Sequence, residues 1–427
     1  MFAKKTIKDI DASGKSVLVR VDYNVPISEG KVMDSYRIKQ SLPTLEYLLE
    51  QKSKLILISH LGRPDGQVKP EFSLAPIAQV LERMLKTKVH FVSDCIGKPV
   101  TKALAVVKPG EVLLCENLRF HPEEEKNDAS FAKALAAPAD VFVQDGFGVV
   151  HRAHASTVAV TKYLPSVAGL LLEREVDTIT NVMVNPSHPL MAIIGGAKIA
   201  DKLDLIKRFI ELADIVAIGG AMGNTLLSAN GVFIGKSLSD KDDLPLAKDV
   251  IRLARNEAKK RPFVFVLPRD GVVASSLNPS TKTRIVDWGS HAVAEIENYP
   301  KRVPLSSATV SNQEMILDIG PFSGSFIAGC LQLVNTVVWN GTMGVTEIPS
   351  LISATGPFAH GTELVVDGIL GQFGHRPFSL IGGGDTVGYI ESQGLIDQFN
   401  HVSTGGGASL ELMAGRKLPG VEALEDK

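Results

Sequence analysis

Short apolar runs alternate along this chain with longer stretches whose apolar residues recur every three or four positions. The runs occupy residues 17–19, 55–58, 112–114, 141–143, 191–194, 215–218, 337–339 and 378–381. Apolar runs of this length, interrupted only by Ser379, suit strands buried on both faces, as in parallel sheets. Between them, Leu42, Leu45, Leu48 and Leu49 predict a helix over 41–51, and Leu74, Ile77, Leu81 and Leu85 one over 73–87. Residues 202–213 and 244–260 carry the same spacing. Strand and helix alternating at intervals of roughly 25–40 residues predict parallel βαβ units, with helices on both faces of each sheet. A long helix is expected from Gly169 through Val176, followed by Asn185-Pro-Ser-His-Pro189. A boundary between two domains is expected within 164–189, with that helix as a hinge.

The residues just beyond the runs differ between the two halves. In the first half they are Arg37, Arg63, Arg119 and Arg152, accompanied by Asp22, Asn24, His60 and His151. In the second half they are glycines: Gly195-Gly-Ala-Lys198, Gly219-Gly-Ala-Met222, Gly341-Thr-Met-Gly344 and Gly382-Gly-Gly-Asp385-Thr386. Ligands of open α/β sheets bind beyond the carboxyl ends of the strands, so this partition predicts two sites. Arginine recognises carboxylate and phosphate through two parallel bonds. One surface arginine is ordinarily an ion-pair partner, but four at corresponding positions point to a small polyanion. Asp22 would repel a bare anion, so with Asn24 it implies a hydroxyl on the ligand. His60 and His151 fit equally an anion ligand and a structural histidine.

Glycine lets the backbone approach phosphate, and the free N–H groups of a helix start face the anion. Asp385 is placed to hold Mg²⁺ on nucleotide phosphates, and Thr386 to cap the helix or touch phosphate. The turns at 195–196 and 219–220 suit either a flat wall against an adenine ring or a close strand–helix contact. Lys198 and Lys202, one helical turn apart, are candidate phosphate ligands on one face. Gly231-Val-Phe-Ile-Gly235-Lys236-Ser237 is one residue short of a P-loop, and no dinucleotide fingerprint is present.

A length of 427 residues suffices for about two domains. The net charge of -2, from 45 Lys+Arg against 47 Asp+Glu, argues against a nucleic-acid partner. No apolar run approaches the ~20 residues of a membrane span, and the first residues lack a signal-peptide core. A cytoplasmic protein with no membrane partner is expected. Cys95, Cys115 and Cys330 are too few and too scattered for a disulfide framework or a zinc site and read as buried thiols.

Ten segments in order resemble the phosphoglycerate kinase family over essentially the whole chain. They are Arg20-Val-Asp-Tyr-Asn-Val-Pro26, Asp34-Ser-Tyr-Arg-Ile38, Ser59-His-Leu-Gly-Arg-Pro64, Glu116-Asn-Leu-Arg-Phe120, residues 145–157, Gly195-Gly-Ala-Lys198 with Asp201-Lys202, Gly219-Gly-Ala-Met222, Trp339-Asn-Gly with Gly344 and Glu347, residues 382–386, and residues 403–412. The resemblance implies an α/β fold of two Rossmann-like lobes, with parallel sheets covered by helices and a hinge helix between them. Residues 1–175, completed by the tail 403–427, would bind 3-phosphoglycerate through Asp22, Asn24, Arg37, His60, Arg63, Arg119 and Arg152. Residues 176–402 would bind ATP or ADP with Mg²⁺ through Lys198, Lys202, Gly219, Gly220, Asn340, Glu347, Gly382, Gly383, Gly384, Asp385 and Thr386. Arg37, Lys198, Gly383 and Gly384 would serve catalysis, Asp385 the metal and Glu347 the ribose. The implied reaction is ATP + 3-phosphoglycerate ⇌ ADP + 1,3-bisphosphoglycerate, catalysed by a monomer.

A carboxylate acceptor is already ionised at pH 7, with a pKa of roughly 3–4, so no general base is required. Phosphoryl transfer then rests on positioning and charge neutralisation. The chain departs from the family pattern at Thr342, where proline is usual, at Thr346, where phenylalanine is usual, and at Val387-Gly-Tyr389, where small alanines are usual. Residues 145–152 carry Gly146 and Val149-Val150 where alanine and Thr-Ala are usual. A solute-binding protein, a non-catalytic homologue acting as a regulatory or nucleotide-binding protein, and a dehydrogenase are the competing expectations. The last lacks its dinucleotide fingerprint.

Overall fold

The computed structural model describes residues 2–288, 309–349 and 356–427. They form two compact units: Met1–Asn181 with the tail Thr404–Lys427, and Val182–Ser403.

The first unit is built on six parallel strands. Across the sheet they are Val89–Val92, Val112–Cys115, Lys54–Ile58, Ser16–Arg20, Val141–Gln144 and Ser166–Ala168. The apolar runs become strands because both faces are covered: Val17, Val19, Leu55, Leu57, Val112, Leu114 and Val143 are buried on one face, and Leu18, Ile56, Leu113 and Phe142 on the other. Each such side chain contributes about 1.5–3 kcal/mol. Ser16–Arg20 comes first in sequence yet lies inside the sheet. The next three strands lie on one side of it and the last two on the other. That reversal is a topological switch point, where the carboxyl ends of the strands open a crevice.

The second unit repeats the plan. Its parallel strands are, in order, Val264–Val266, Ile215–Ile218, Leu190–Ile194, Thr336–Asn340, Phe378–Gly382 and His401–Val402. The switch point falls between Leu190–Ile194 and Thr336–Asn340. A separate antiparallel sheet, Arg284–Asp287, Asp270–Ala274 and Met315–Ile319, departs from the all-parallel expectation. Its strands are short, its register shifts between Val272 and Val273, and one partner is remote in sequence. No local periodicity therefore announces it.

Helix Tyr36–Glu50 begins before the apolar spacing does, because its first turn holds Arg37 and Lys39 around the single apolar Ile38. Pro43 sits inside it, where it removes one backbone bond. Helix Leu170–Val184 runs past Val176 and carries the chain from the first unit into the second. Buried Asp145 holds its start, accepting from the Leu171 and Leu172 N–H groups at 3.0 and 3.2 Å. Helix Gly384–Ser392 passes through Gly388 without a break. The tail joins the first unit: Thr404 donates to Glu175 Oε1 from its N–H at 2.6 Å and from its hydroxyl at 2.8 Å. No described helix is long and apolar enough to cross a membrane. All three cysteines are free and buried.

Candidate functional site

In the first unit, the chain leaving the Ser16–Arg20 strand presents Asp22 and Asn24 at the switch point. Asp22 is buried, and Arg37 Nη1 lies 3.3 Å from its Oδ2 and donates to the Asn24 carbonyl at 2.9 Å. Gly148 makes room for this carboxylate, since a Cβ there would stand 2.2 Å from Asp22 Oδ2. Asn24 Oδ1 accepts from the Gly62 N–H at 3.0 Å, and Arg119 Nη1 donates to the Gly62 carbonyl at 2.7 Å. Arg119 is delivered by the 3-10 turn Leu118–Phe120, capped by Asn117, whose Oδ1 accepts from Arg119 N–H at 3.0 Å and Leu61 N–H at 3.2 Å. His60 Nδ1 lies 3.9 Å from Asp22 Oδ1, so Asp22, Asn24, Arg37, His60, Gly62 and Arg119 form one connected cradle. Arg63 and Arg152 are exposed, and Arg152 Nε donates to His151 Nε2 at 3.2 Å.

Two expected placements need correction. Arg37 does not stand at a strand end but in the first turn of helix Tyr36–Glu50. Arg152 lies beyond the 3-10 helix Phe147–Val149, several residues past its strand. Both reach the region from loops and helix starts, because the long connections after the strands fold back.

One buried network was missed from the sequence. Arg20 is fully buried; its Nε donates to Ser156 Oγ at 2.9 Å, its Nη1 donates to the Val21 carbonyl, and its Nη2 lies 3.3 Å from His60 Nδ1. Ser156 in turn donates to buried Glu124 from its hydroxyl at 2.5 Å and its N–H at 3.0 Å. An arginine inside an aliphatic strand signals a buried partner. Its partner sits in the acidic run Glu123-Glu124-Glu125, which reads as a solvated loop. Burial, then Arg20, Arg119 and Arg37, hold the His60 pKa well below its ordinary value. Burial, then Arg119 and Arg20, push His154 down to about 4. Both are neutral at pH 7, so the cradle's positive charge is carried by guanidinium groups.

In the second unit, three strand ends meet backbone against backbone. A Cβ at Gly195 would stand 2.0 Å from the Thr342 carbonyl oxygen, and one at Gly341 would stand 2.3 Å from the Gly195 carbonyl oxygen. Gly219 N–H donates to the Ile194 carbonyl and Gly220 N–H to that of Met343, each at 2.9 Å. Close packing therefore accounts for these glycines without a ligand. Lys202 closes the switch point: Nζ donates to the Gly195 carbonyl and to Asn340 Oδ1, both at 2.6 Å, and to the Asn340 carbonyl at 3.2 Å. Burial pushes this ammonium down to about 8, against the pull of Asp385 and Asp201. Asn340 Nδ2 is buried without a hydrogen-bond partner. It lies beside Gly383, 3.1 Å from where a Cβ of that residue would stand.

Gly383, at φ 94, begins helix Gly384–Ser392 with no side chain capping it. Asp385 is exposed in the first turn, whereas Thr386 is buried and its Oγ1 accepts from the Gly341 N–H at 2.6 Å. Lys198 and Lys202 do not share a helical face. Lys198 precedes the 3-10 turn Ala200–Lys202, is exposed, and pairs with Asp240 at 3.4 Å, while Lys202 turns inward. Glu347 is exposed. Thr342 donates from its hydroxyl to the Gly344 carbonyl at 3.0 Å, holding the turn where a proline would have no donor.

Two α/β units, one with an arginine cradle and the other with an uncapped helix start beside lysine and glycine, define a two-lobed protein of the phosphoryl-transfer class. Residues 7–416 match the model of the phosphoglycerate kinase family. Phosphoglycerate kinase from Moorella thermoacetica is 47% identical over 426 residues, covering 100% of both chains, and that from Pelotomaculum thermopropionicum is 43% identical with the same coverage. The solved phosphoglycerate kinase of Coxiella burnetii superposes with a TM-score of 0.79 at 33% identity, covering 98% of each chain. That of Pyrococcus horikoshii gives 0.80 at 29% identity, covering 99% of this chain and 98% of the other. This chain belongs to the phosphoglycerate kinase family. Its activity is the ATP-dependent phosphorylation of 3-phosphoglycerate in glycolysis, a phosphotransfer to a carboxyl group.

Proposed function

We propose that the first unit binds 3-phosphoglycerate and the second binds the nucleotide. In this reading Arg63, Arg119 and Arg152 hold the acid's phosphate, while Asp22 and Asn24 receive its hydroxyl and His60 donates as a neutral imidazole. Arg37 lies beside the acceptor carboxylate and neutralises charge on the transferring phosphoryl group from the acid side, as Lys198 does from the nucleotide side. Lys202, Asn340 and the N–H groups of Gly383, Gly384 and Asp385 receive the nucleotide phosphates. Thr386 stays with Gly341, and Gly219, Gly220 and Glu347 line the nucleoside side. The observation that carries this assignment is the orphaned Asn340 Nδ2 beside an uncapped helix start, a donor set that awaits an anion.

The same helix start suits Mg²⁺, because the exposed Asp385 carboxylate offers a hard oxygen ligand next to those phosphate donors. When bound with the nucleotide, the ion would neutralise phosphate charge. The transfer itself asks the chain for alignment and dryness: the arginine and lysine groups must meet across the two reacting molecules, which calls for hinge closure. We further propose that the protein works as a monomer in the cytoplasm. A coupled assay with 3-phosphoglycerate, ATP and Mg²⁺ tests the assignment. Arg37→Ala is expected to lower kcat by about 10²–10³-fold with the protein still folded; wild-type turnover in that variant would remove Arg37 from the reaction.

A further inference from the structure

The first unit holds a second cluster of donor atoms whose members lie far apart in sequence. Asp94 and Cys95 follow the Val89–Val92 strand, and His121 follows the 3-10 turn Leu118–Phe120. Folding brings one ligand atom from each within 4.8 Å of the others. His121 Nε2 lies 2.9 Å from Asp94 Oδ1, and the same oxygen accepts from the Cys95 N–H at 2.7 Å. Cys95 is buried, whereas Asp94 and His121 are each about a third exposed, so the donor set reaches the protein surface. We propose that Asp94, Cys95 and His121 form a binding site for a thiophilic divalent cation of the Zn²⁺ class, with its remaining position open to water.

The chemistry favours such an ion over Mg²⁺. A thiolate and an imidazole select borderline-soft cations, and three protein ligands plus an open position is a recurrent zinc arrangement. Bonds of about 2.0–2.3 Å place tetrahedral ligand atoms about 3.3–3.8 Å apart. The Asp94–His121 pair must therefore open by a few tenths of an ångström, and the sulfur, within 4.8 Å of both, need move in by no more than about 1–1.5 Å. The incoming cation displaces the thiol proton to solvent as the metal–sulfur bond forms. The scatter of cysteines along the chain hides this site, because its other two donors are an aspartate and a histidine from a different loop.

Titrating the full-length protein with Co²⁺ in excess Mg²⁺ tests the proposal, since thiolate-to-cobalt charge transfer absorbs in the near ultraviolet and oxygen sites give no such band. The band should saturate at one equivalent, survive Cys330→Ala and vanish in Cys95→Ala. His121→Asn, at a partly exposed position, should weaken Co²⁺ binding by at least about tenfold with the fold intact. No band in the wild type, a band that persists in folded Cys95→Ala, or unchanged affinity in His121→Asn would overturn the site.

Discussion

Arg37, Arg119 and Arg20 reach the first unit's cradle from a helix start, a 3-10 turn and a strand, and they converge through side chains. In the second unit the turns at 195–196, 219–220 and 341–344 interlock through backbone, and one buried lysine closes them. The two switch points share a topology but not a material. A guanidinium cradle keeps its charge at any working pH, at the cost of needing buried counter-charges such as Glu124. A backbone cradle adds no net charge beyond Lys202, and it tolerates no added side-chain volume.

The contrast can be broken first at the counter-charge. Glu124→Ala strips Arg20 of its buried carboxylate and is expected to cost about 3–5 kcal/mol in chemical denaturation. Glu124→Gln keeps one acceptor oxygen for Ser156 and should recover part of that loss. A value near zero for both would mean that Arg20 needs no counter-charge. In the second unit Gly195→Ala drives a methyl into the Thr342 carbonyl and should cost about 1–3 kcal/mol and raise the nucleotide KM. An ordinary surface-like tolerance there would show that the turns are not interlocked.

The smallest effect separates the sites by pH. Lys202 is protonated below about 8 and loses its charge as pH rises through that value. The nucleotide KM should therefore rise between about pH 8 and 9, while the KM for 3-phosphoglycerate stays flat from about pH 7 to 9, since arginines remain charged and His60 and His154 are already neutral. Parallel rises in both constants would contradict the proposed separation of the two sites.

The sequence announces the parallel sheets because apolar runs covered on both faces leave an unmistakable pattern. It announces Asp22, Asn24, His60, Arg63 and Arg119 because each falls at or just beyond a strand, where α/β sheets bind ligands. It conceals Arg20 with Glu124, since one lies in an aliphatic run and the other in an acidic loop, and only folding joins them. It misplaces Lys198 against Lys202, because their spacing suggests a helix that starts only at Ala200. The antiparallel sheet is hidden for the same reason as the Glu124 pairing: its partners are remote in sequence.

Calorimetric binding of 3-phosphoglycerate and of ADP with Mg²⁺ to the wild type, Arg63→Ala and Lys202→Met tests the division of labour most directly. Arg63→Ala should weaken the acid by at least about tenfold, or 1.4 kcal/mol, and leave ADP within about twofold; Lys202→Met should do the reverse. Unchanged acid affinity in Arg63→Ala, or equal loss of both ligands in either variant, would contradict it.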